Sequence, residues 1–369
     1  MRRLYIHRLE DWPRFRWDSA RFANLLASVR HRQGLLAGHM KALGFDLRQE
    51  AVLRTLTADV LKSSEIEGEQ LDAKQVRSSI ARRMGIDIGG LMAQDRNVEG
   101  VVEMMLDATR KYDKALTAER LKAWNAALFP TGRSGMRKIR AGKWRDDKSG
   151  PMQVVSGPVG KERVHFEAIP AARIPKEMTG FLDWFNRRPG TDEVLHAALA
   201  HLWFATIHPF DDGNGRIARA IADMALARSE KSPQRFYSMS TQIRQERDAY
   251  YEALETTQKA SMDVTAWMEW FLGCLSRAID GAEITLREVL AKARFWESIK
   301  GAVLNERQTL VLNRLLDGFE GKLTTSKYAK LAKCSPDTGL RDILALVERG
   351  LVKRGAEKGR STSYTLTAT

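Results

Sequence analysis

The sequence predicts a mainly α-helical fold: a helical core with one β-hairpin inserted, followed by a C-terminal winged-helix domain. Three observations carry that expectation. Apolar residues recur at mixed three- and four-residue spacing along most of the 369 residues, as helices buried on one face require. Strands do not alternate with helices, which argues against a doubly wound parallel sheet. Turn residues concentrate in a single stretch, 131–160, around two short β-prone pieces.

In chain order, 19–43 is amphipathic through Phe22, Leu25, Leu26, Val29, Leu35 and Leu36, and 51–64 forms a second helix ending near Gly68. Helices follow at 97–112 and 118–129. The turn-rich stretch holds Gly132, Gly135, Gly142, Gly150, Gly157, Pro158 and Gly160 around strands at 152–155 and 164–166. Helices return at 175–187, 193–207, 215–228, 241–259 and 264–280. Residues 283–302 read as a charged helical connector. The last block predicts helices at 306–316, 325–332 and 336–348. Ser335 caps the third, and Pro336 takes its first position, where a missing N–H costs nothing. Gly350 stops it, and 351–366 reads as two strands around a Gly-rich basic turn. The implied domains are 1–95, a helical core at 96–282, a connector at 283–304 and a winged helix at 305–369.

Composition narrows the function classes. The hydrophobic share of 43% and charged share of 29% are those of a folded globular chain. No uncharged apolar run is long enough for a membrane helix, and the first residues lack the apolar region of a secretory signal. Cys274 and Cys334 lie far apart, so neither a disulfide framework nor a CxxC metal pair is present. A reducing, cytoplasmic setting and no membrane partner are expected. The net charge of +14 favours polyanionic partners without choosing among them.

The most informative stretch is His208-Pro-Phe-Asp-Asp-Gly-Asn-Gly-Arg-Ile-Ala-Arg219, which follows the apolar run 194–207. Gly213 and Gly215 let backbone approach a ligand closely. A helix opening at this turn directs free N–H groups and the positive end of its dipole toward an anion. Arg216 and Arg219, three apart, share a helix face and can clamp phosphate oxygens. Asp212 is a hard oxygen ligand suited to Mg²⁺ on phosphates, and His208 is placed to take a proton. The competing reading is a solvated helix-capping turn. Gly213-x-Gly215-x-x-Ala218 also fits a dinucleotide fingerprint, but it follows a helix rather than a strand. Asp212-Gly-Asn214-Gly lacks the remaining ligands of a calcium loop, and no Walker GxxxxGK[ST] is present.

His208-x-Phe210-x-Asp212-Gly213-Asn214-Gly215-Arg216-x-x-Arg219 resembles the signature HxFx(D/E)GNGRxxR of the Fic family without a departure. The hairpin resembles that family's target-docking flap, and the tail resembles long bacterial members with a winged helix. The resemblance implies Mg²⁺-ATP-dependent transfer of AMP to a Ser, Thr or Tyr hydroxyl of a target protein, releasing pyrophosphate. His208 would be the base and Asp212 the Mg²⁺ ligand. Gly213, Asn214 and Gly215 would form the anion hole, with Arg216 near the β-phosphate and Arg219 at the γ-phosphate. Tyr250, Tyr251 and Gln258 would face adenosine, the competing reading being that both tyrosines are core.

Ser63-Ser-Glu-Ile-Glu67-Gly68 is similar to the family's inhibitory motif, [S/T]xxxE[G/N]. It implies that Glu67 pairs with Arg219 in place of the γ-phosphate, making the enzyme autoinhibited. His201 reads as structural, and His165 as an exposed flap residue. In the tail, Lys327, Lys330, Lys333, Arg341, Lys353, Arg354, Lys358 and Arg360 suit contact with DNA, with a protein partner or with neither. A second copy of the chain is a further expected partner. The alternatives carried forward are a DNA-binding regulator whose core only senses nucleotide, and an enzyme that removes AMP or transfers another nucleotide moiety.

Overall fold

The fold was analysed in a computed structural model that describes residues 5–86, 88, 95–148, 150–156, 163–187, 190–259, 261–316, 319, 321–355 and 362–367. Gly157, Pro158 and Gly160 of the expected hairpin loop, and Lys358 and Arg360 of the expected wing, lie outside them. The chain divides into two units, Met1–Glu283 and Ile284–Thr369. The expected helical region at 1–95 and core at 96–282 thus belong to one unit.

The first unit opens with α1 (Ala23–Ala42), α2 (Phe45–Ile66), α3 (Ala73–Met84), α4 (Arg96–Arg110) and α5 (Ala118–Leu128). The third helix was absent from the sequence reading, because Lys74, Arg77, Arg82 and Arg83 crowd its few apolar positions. Asp72 caps it by accepting from the Gln75 N–H, and Val76 and Ile80 bury one face. Gly100 marks a close approach of α4 to α5: a Cβ there would stand 1.8 Å from the Ala127 carbonyl oxygen.

Two antiparallel hairpins follow. The pair β1 (Arg133–Ser134) and β2 (Arg137–Lys138) was unforeseen. The expected hairpin is β3 (Gln153–Ser156) with β4 (Arg163–Glu167), with an irregularity between Val154 and Val155. It is fastened to the body at Glu255, whose carboxylate accepts from His165 Nδ1 (2.5 Å), Arg163 (3.2 Å) and Lys259.

Then come α6 (Ile174–Arg187), α7 (Glu193–Ile207) and α8 (Asn214–Glu230). Almost every residue of α7 is buried, as a helix apolar on all sides demands. It packs along α8, so the turn between them is held at the centre of the unit.

The expected helix at 241–259 is two, α9 (Met239–Gln245) and α10 (Arg247–Gln258). The break at Glu246 follows from tertiary bonds. The buried Asp59 of α2 accepts from Ser238 Oγ (2.5 Å) and the Ser240 N–H (3.1 Å). Arg277 clamps the Glu246 carboxylate through Nε and Nη2 at 2.5 and 2.6 Å.

The connector requires correction. Residues 265–298 form a single helix, α11 (Thr265–Ser298), and the division between the units falls within it. Six of the sixteen residues 283–298 are charged, and Leu286, Val289 and Phe295 among the others are buried. Phe295 belongs to the second unit's core.

That unit continues with α12 (Glu306–Leu316), α13 (Thr325–Leu331), α14 (Pro336–Glu348) and the antiparallel pair β5 (Val352–Arg354) and β6 (Tyr364–Leu366). Its core joins Phe295, Leu312, Tyr328, Ile343, Leu346 and Tyr364. Asp342 is a polar hub within it, accepting from Arg307 Nε (2.7 Å), Asn305 Nδ2 (2.9 Å) and Tyr328 Oη (3.2 Å).

Gly100→Ala is expected to destabilise the first unit by about 3 kcal/mol, because the clash is with main chain that cannot swing aside. Thermal unfolding measures it. An unchanged midpoint would mean that α4 and α5 are not so close.

Candidate active site

Three segments converge on one point: the end of α7, the start of α8 and the end of α2. His208 terminates α7 in the left-handed region (φ 53°, ψ 58°), which residues other than glycine adopt uncommonly. Arg145 holds it there. This buried guanidinium donates from Nε to the His208 carbonyl (2.8 Å) and also binds Asp147 (2.8 Å) and the Ile169 carbonyl. The Arg145 main-chain N–H donates to the Pro209 carbonyl at 2.9 Å. Sequence reading missed this buttress, since an arginine in a glycine-rich stretch reads as solvent-exposed charge.

His208 Nδ1 lies 3.3 Å from the Ala205 carbonyl oxygen. A carbonyl only accepts, so Nδ1 carries the proton and Nε2 keeps its lone pair. Burial, and to a lesser degree Arg145, lower its pKa to about 4, so the imidazole is neutral at pH 7.

The turn itself is closed by Asn214. Its Oδ1 accepts from the Phe210 N–H (3.0 Å), and its Nδ2 donates to the Phe210 carbonyl (2.8 Å). The two ends of its amide supply the acceptor and the donor. Gly213 has φ 82° and caps α8 without a side chain, leaving the first-turn N–H groups of the helix without a side-chain acceptor. Gly215 is needed for space: a Cβ there would sit 2.2 Å from Glu67 Oε1.

Arg216 and Arg219 are each only 2% exposed. Arg219 donates from Nε to Ser63 Oγ (3.0 Å) and from Nη2 to the Ser63 carbonyl (2.8 Å), and it pairs with Glu67 at 2.9 Å. Arg216 lies over the Phe129 ring, 5.0 Å from its centre, and pairs with Glu69 at 2.5 Å. Sequence reading did not single out Glu69.

The end of α2 explains how two carboxylates reach two arginines. Gly68 adopts φ 84°, its N–H donates to the Glu65 carbonyl (3.1 Å), and the Glu69 N–H donates to the Ser64 carbonyl (3.0 Å). This double bond pattern caps a helix by a left-handed residue, which favours glycine. It turns Glu67 and Glu69 toward α8.

Asp212 is partly engaged. Its Oδ1 accepts from the Gly213 N–H at 2.5 Å, its Oδ2 from Ser134 Oγ, and its carbonyl from Asn125 Nδ2 at 3.0 Å. No cluster of three metal-ligating side chains occurs among the described residues. One carboxylate beside an anion site still fits Mg²⁺, which completes its shell with water and phosphate oxygens.

Of the three residues expected beside adenosine, two are buried and one is half-buried. Tyr250 is buried, with Oη 2.9 Å from His201 Nε2. Gln258 is buried and donates to Thr206 Oγ1 at 3.2 Å. Only Tyr251 is half-buried, stacked under Arg247 with its hydroxyl 3.5 Å from the Ile66 carbonyl. A YYxxLE pattern cannot say which tyrosine of a pair turns inward. His165 lies on β4, where Nε2 meets Ser156 Oγ at 2.5 Å.

Fold and site together define a helical protein whose central turn gathers cations and N–H groups, with carboxylates from a neighbouring helix seated on the cations. The chain contains a Fic/DOC domain. Residues 115–226 match the Fic/DOC family model, and residues 5–86 match a domain of unknown function, DUF4172. The protein adenylyltransferase Fic of Nematostella vectensis is 34% identical over 113 residues, covering 29% of this chain and 24% of that relative. Its counterpart in Drosophila willistoni is 26% identical over 220 residues, 58% of this chain and 39% of the relative. The chain thus spans well under half the length of these curated relatives. A Fic family protein from Desulfovibrio desulfuricans G20 shares the fold at TM-score 0.51 and 22% identity, covering 94% of this chain and 96% of that one. A Fic domain containing signaling protein from Bacteroides thetaiotaomicron shares it at TM-score 0.52 and 20% identity, covering 71% and 97%.

His201 is 1% exposed, and burial, then Arg219, lower its pKa to about 3 from 6.5. A histidine buried neutral contributes stability that is complete above pH 6.5 and is lost as pH falls toward 3, by about 1.4 kcal/mol per pH unit. His201→Gln should therefore flatten the pH dependence of the unfolding midpoint between pH 6.5 and 5. Parallel curves for the two proteins would contradict this.

Proposed function

We propose that this protein transfers AMP from ATP to a hydroxyl side chain of a target protein, and that the end of α2 holds it inactive. The observation that carries the reading is the Glu67–Arg219 pair, in which a half-buried carboxylate sits on a fully buried arginine beside a neutral histidine. The match of residues 115–226 to the Fic/DOC family model and the relatives' names support the reaction class.

In this reaction His208 Nε2 takes the proton as the target Ser, Thr or Tyr oxygen bonds to the α-phosphorus. The bond from that phosphorus to the bridging oxygen breaks, and pyrophosphate leaves in line. Arg216 and Arg219 neutralise the β- and γ-phosphates, and the first-turn N–H groups of α8 receive phosphate oxygens. Asn214 acts by holding the turn. Asp212 would hold Mg²⁺, which neutralises phosphate charge when bound. With Glu67 on Arg219, the γ-phosphate has no counter-charge and ATP cannot settle for in-line attack. The hairpin β3–β4 serves as the target-docking flap.

The second unit reads as a winged helix that docks protein rather than DNA. Its third helix, α14, exposes Leu340 and Leu344 and carries Arg341 as its single cation. Base reading in a groove needs more polar and cationic side chains than that.

Glu67→Gly should raise AMP incorporation at least tenfold, seen by intact-protein mass spectrometry after incubation with Mg²⁺ and ATP. Glu67→Gly with His208→Ala should show none. An inactive single mutant that still binds ATP would remove the brake from this account. The pH–rate profile of Glu67→Gly should hold its level as pH falls from 7 to 5, because His208 loses its base function only as pH drops through about 4. An acid limb near 6.5 would assign the base elsewhere.

A further inference from the structure

Arg216 is held by a carboxylate of its own. Glu69 Oε2 lies 2.5 Å from Arg216 Nη1. The arginine side chain is 2% exposed and cannot leave, whereas the Glu69 side chain is 43% exposed and can swing into solvent. Among the described residues, one corner of the guanidinium is hydrogen-bonded and the buried Nε has no partner. A phosphate group, with several acceptor oxygens, can satisfy more of that fork than one carboxylate oxygen does.

We propose that Glu69 is a specificity-determining residue of the phosphate site. It occupies on Arg216 the place of a nucleotide's β-phosphate, as Glu67 occupies on Arg219 the place of the γ-phosphate. The inference rests on the reading of these arginines as phosphate ligands. The two carboxylates flank Gly68 and meet two arginines three residues apart on one face of α8, so one helix end carries two plugs. Each plug excludes a different phosphate. AMP competes with neither, ADP with Glu69 alone, and ATP with both.

The test is calorimetric titration of AMP, ADP and ATP, each with Mg²⁺, into the full chain and into Glu69→Gln, Glu67→Gln and Gly68→Ala. Glu69→Gln should tighten ADP and ATP about fivefold and leave AMP unchanged. Glu67→Gln should tighten ATP and leave ADP unchanged. Gly68→Ala, which strains the φ of 84° that aims both carboxylates, should tighten ADP and ATP together. Unfolding midpoints verify that each variant folds. Glu69 contributes only its main-chain N–H to the α2 cap, so Glu69→Gln keeps that structure. Unchanged ADP affinity in a folded Glu69→Gln, or AMP tightened equally, overturns the proposal while leaving the phosphate site standing. Failure of every form to bind ADP or ATP overturns the phosphate site and this inference with it.

Discussion

Two guanidinium groups buried at the start of α8 set the terms for the rest of the first unit. A charge removed from water costs several kcal/mol unless partners surround it. Arg219 finds them in Ser63 and Glu67, and Arg216 in Glu69 and the face of Phe129. All but the ring come from the last turn of α2, so that helix must end beside α8. Asp59, one helical turn upstream of Ser63, anchors it by binding Ser238 and Ser240. Gly215 leaves room for Glu67, and Gly68 turns the carboxylates in. Internal anions thus satisfy the two buried cations.

The opposite wall answers to a different constraint. His208 must leave a helix and present a free nitrogen within two residues, and it does so in a backbone region unfavourable to its side chain. Arg145 stabilises that turn through the His208 and Pro209 carbonyls while tying it to Asp147 and Ile169. The arginine stands in the same glycine-rich stretch that leads into the β3–β4 hairpin. The hairpin is pinned at its other side by Glu255 of α10, through His165 and Arg163. The geometry of the proposed base and that of the proposed target-docking strand thus share one supporting segment.

The motif from His208 to Arg219 was legible in sequence because its parts are local. Turn glycines, a helix start and two cations three apart lie within twelve residues, and their proximity follows from helical geometry alone. Helix α7 was legible for the same reason, since burial on all sides leaves a largely apolar run from Val194 to Ile207. Helix α3, the break at Glu246 and the continuity of α11 were not legible. The last two are decided by distant segments, through the Arg277 clamp and the burial of Phe295, whereas α3 rests on a local Asp72 cap in a stretch whose cations mask its apolar face.

By itself, the sequence determined a helical chain with one hairpin, a basic balance and a compact motif whose glycines and arginines suit an anion. Tertiary structure decided which charges meet. It placed Glu69 on Arg216, put Arg145 behind His208, turned Tyr250 and Gln258 into the core, and left Tyr251 at its edge. The physical reason is one of range. Backbone propensity and turn chemistry act over a few residues and are written in order along the chain. Desolvation and ion pairing act between segments far apart in the chain, 156 residues for Ser63 and Arg219, and exist only once those segments share a core.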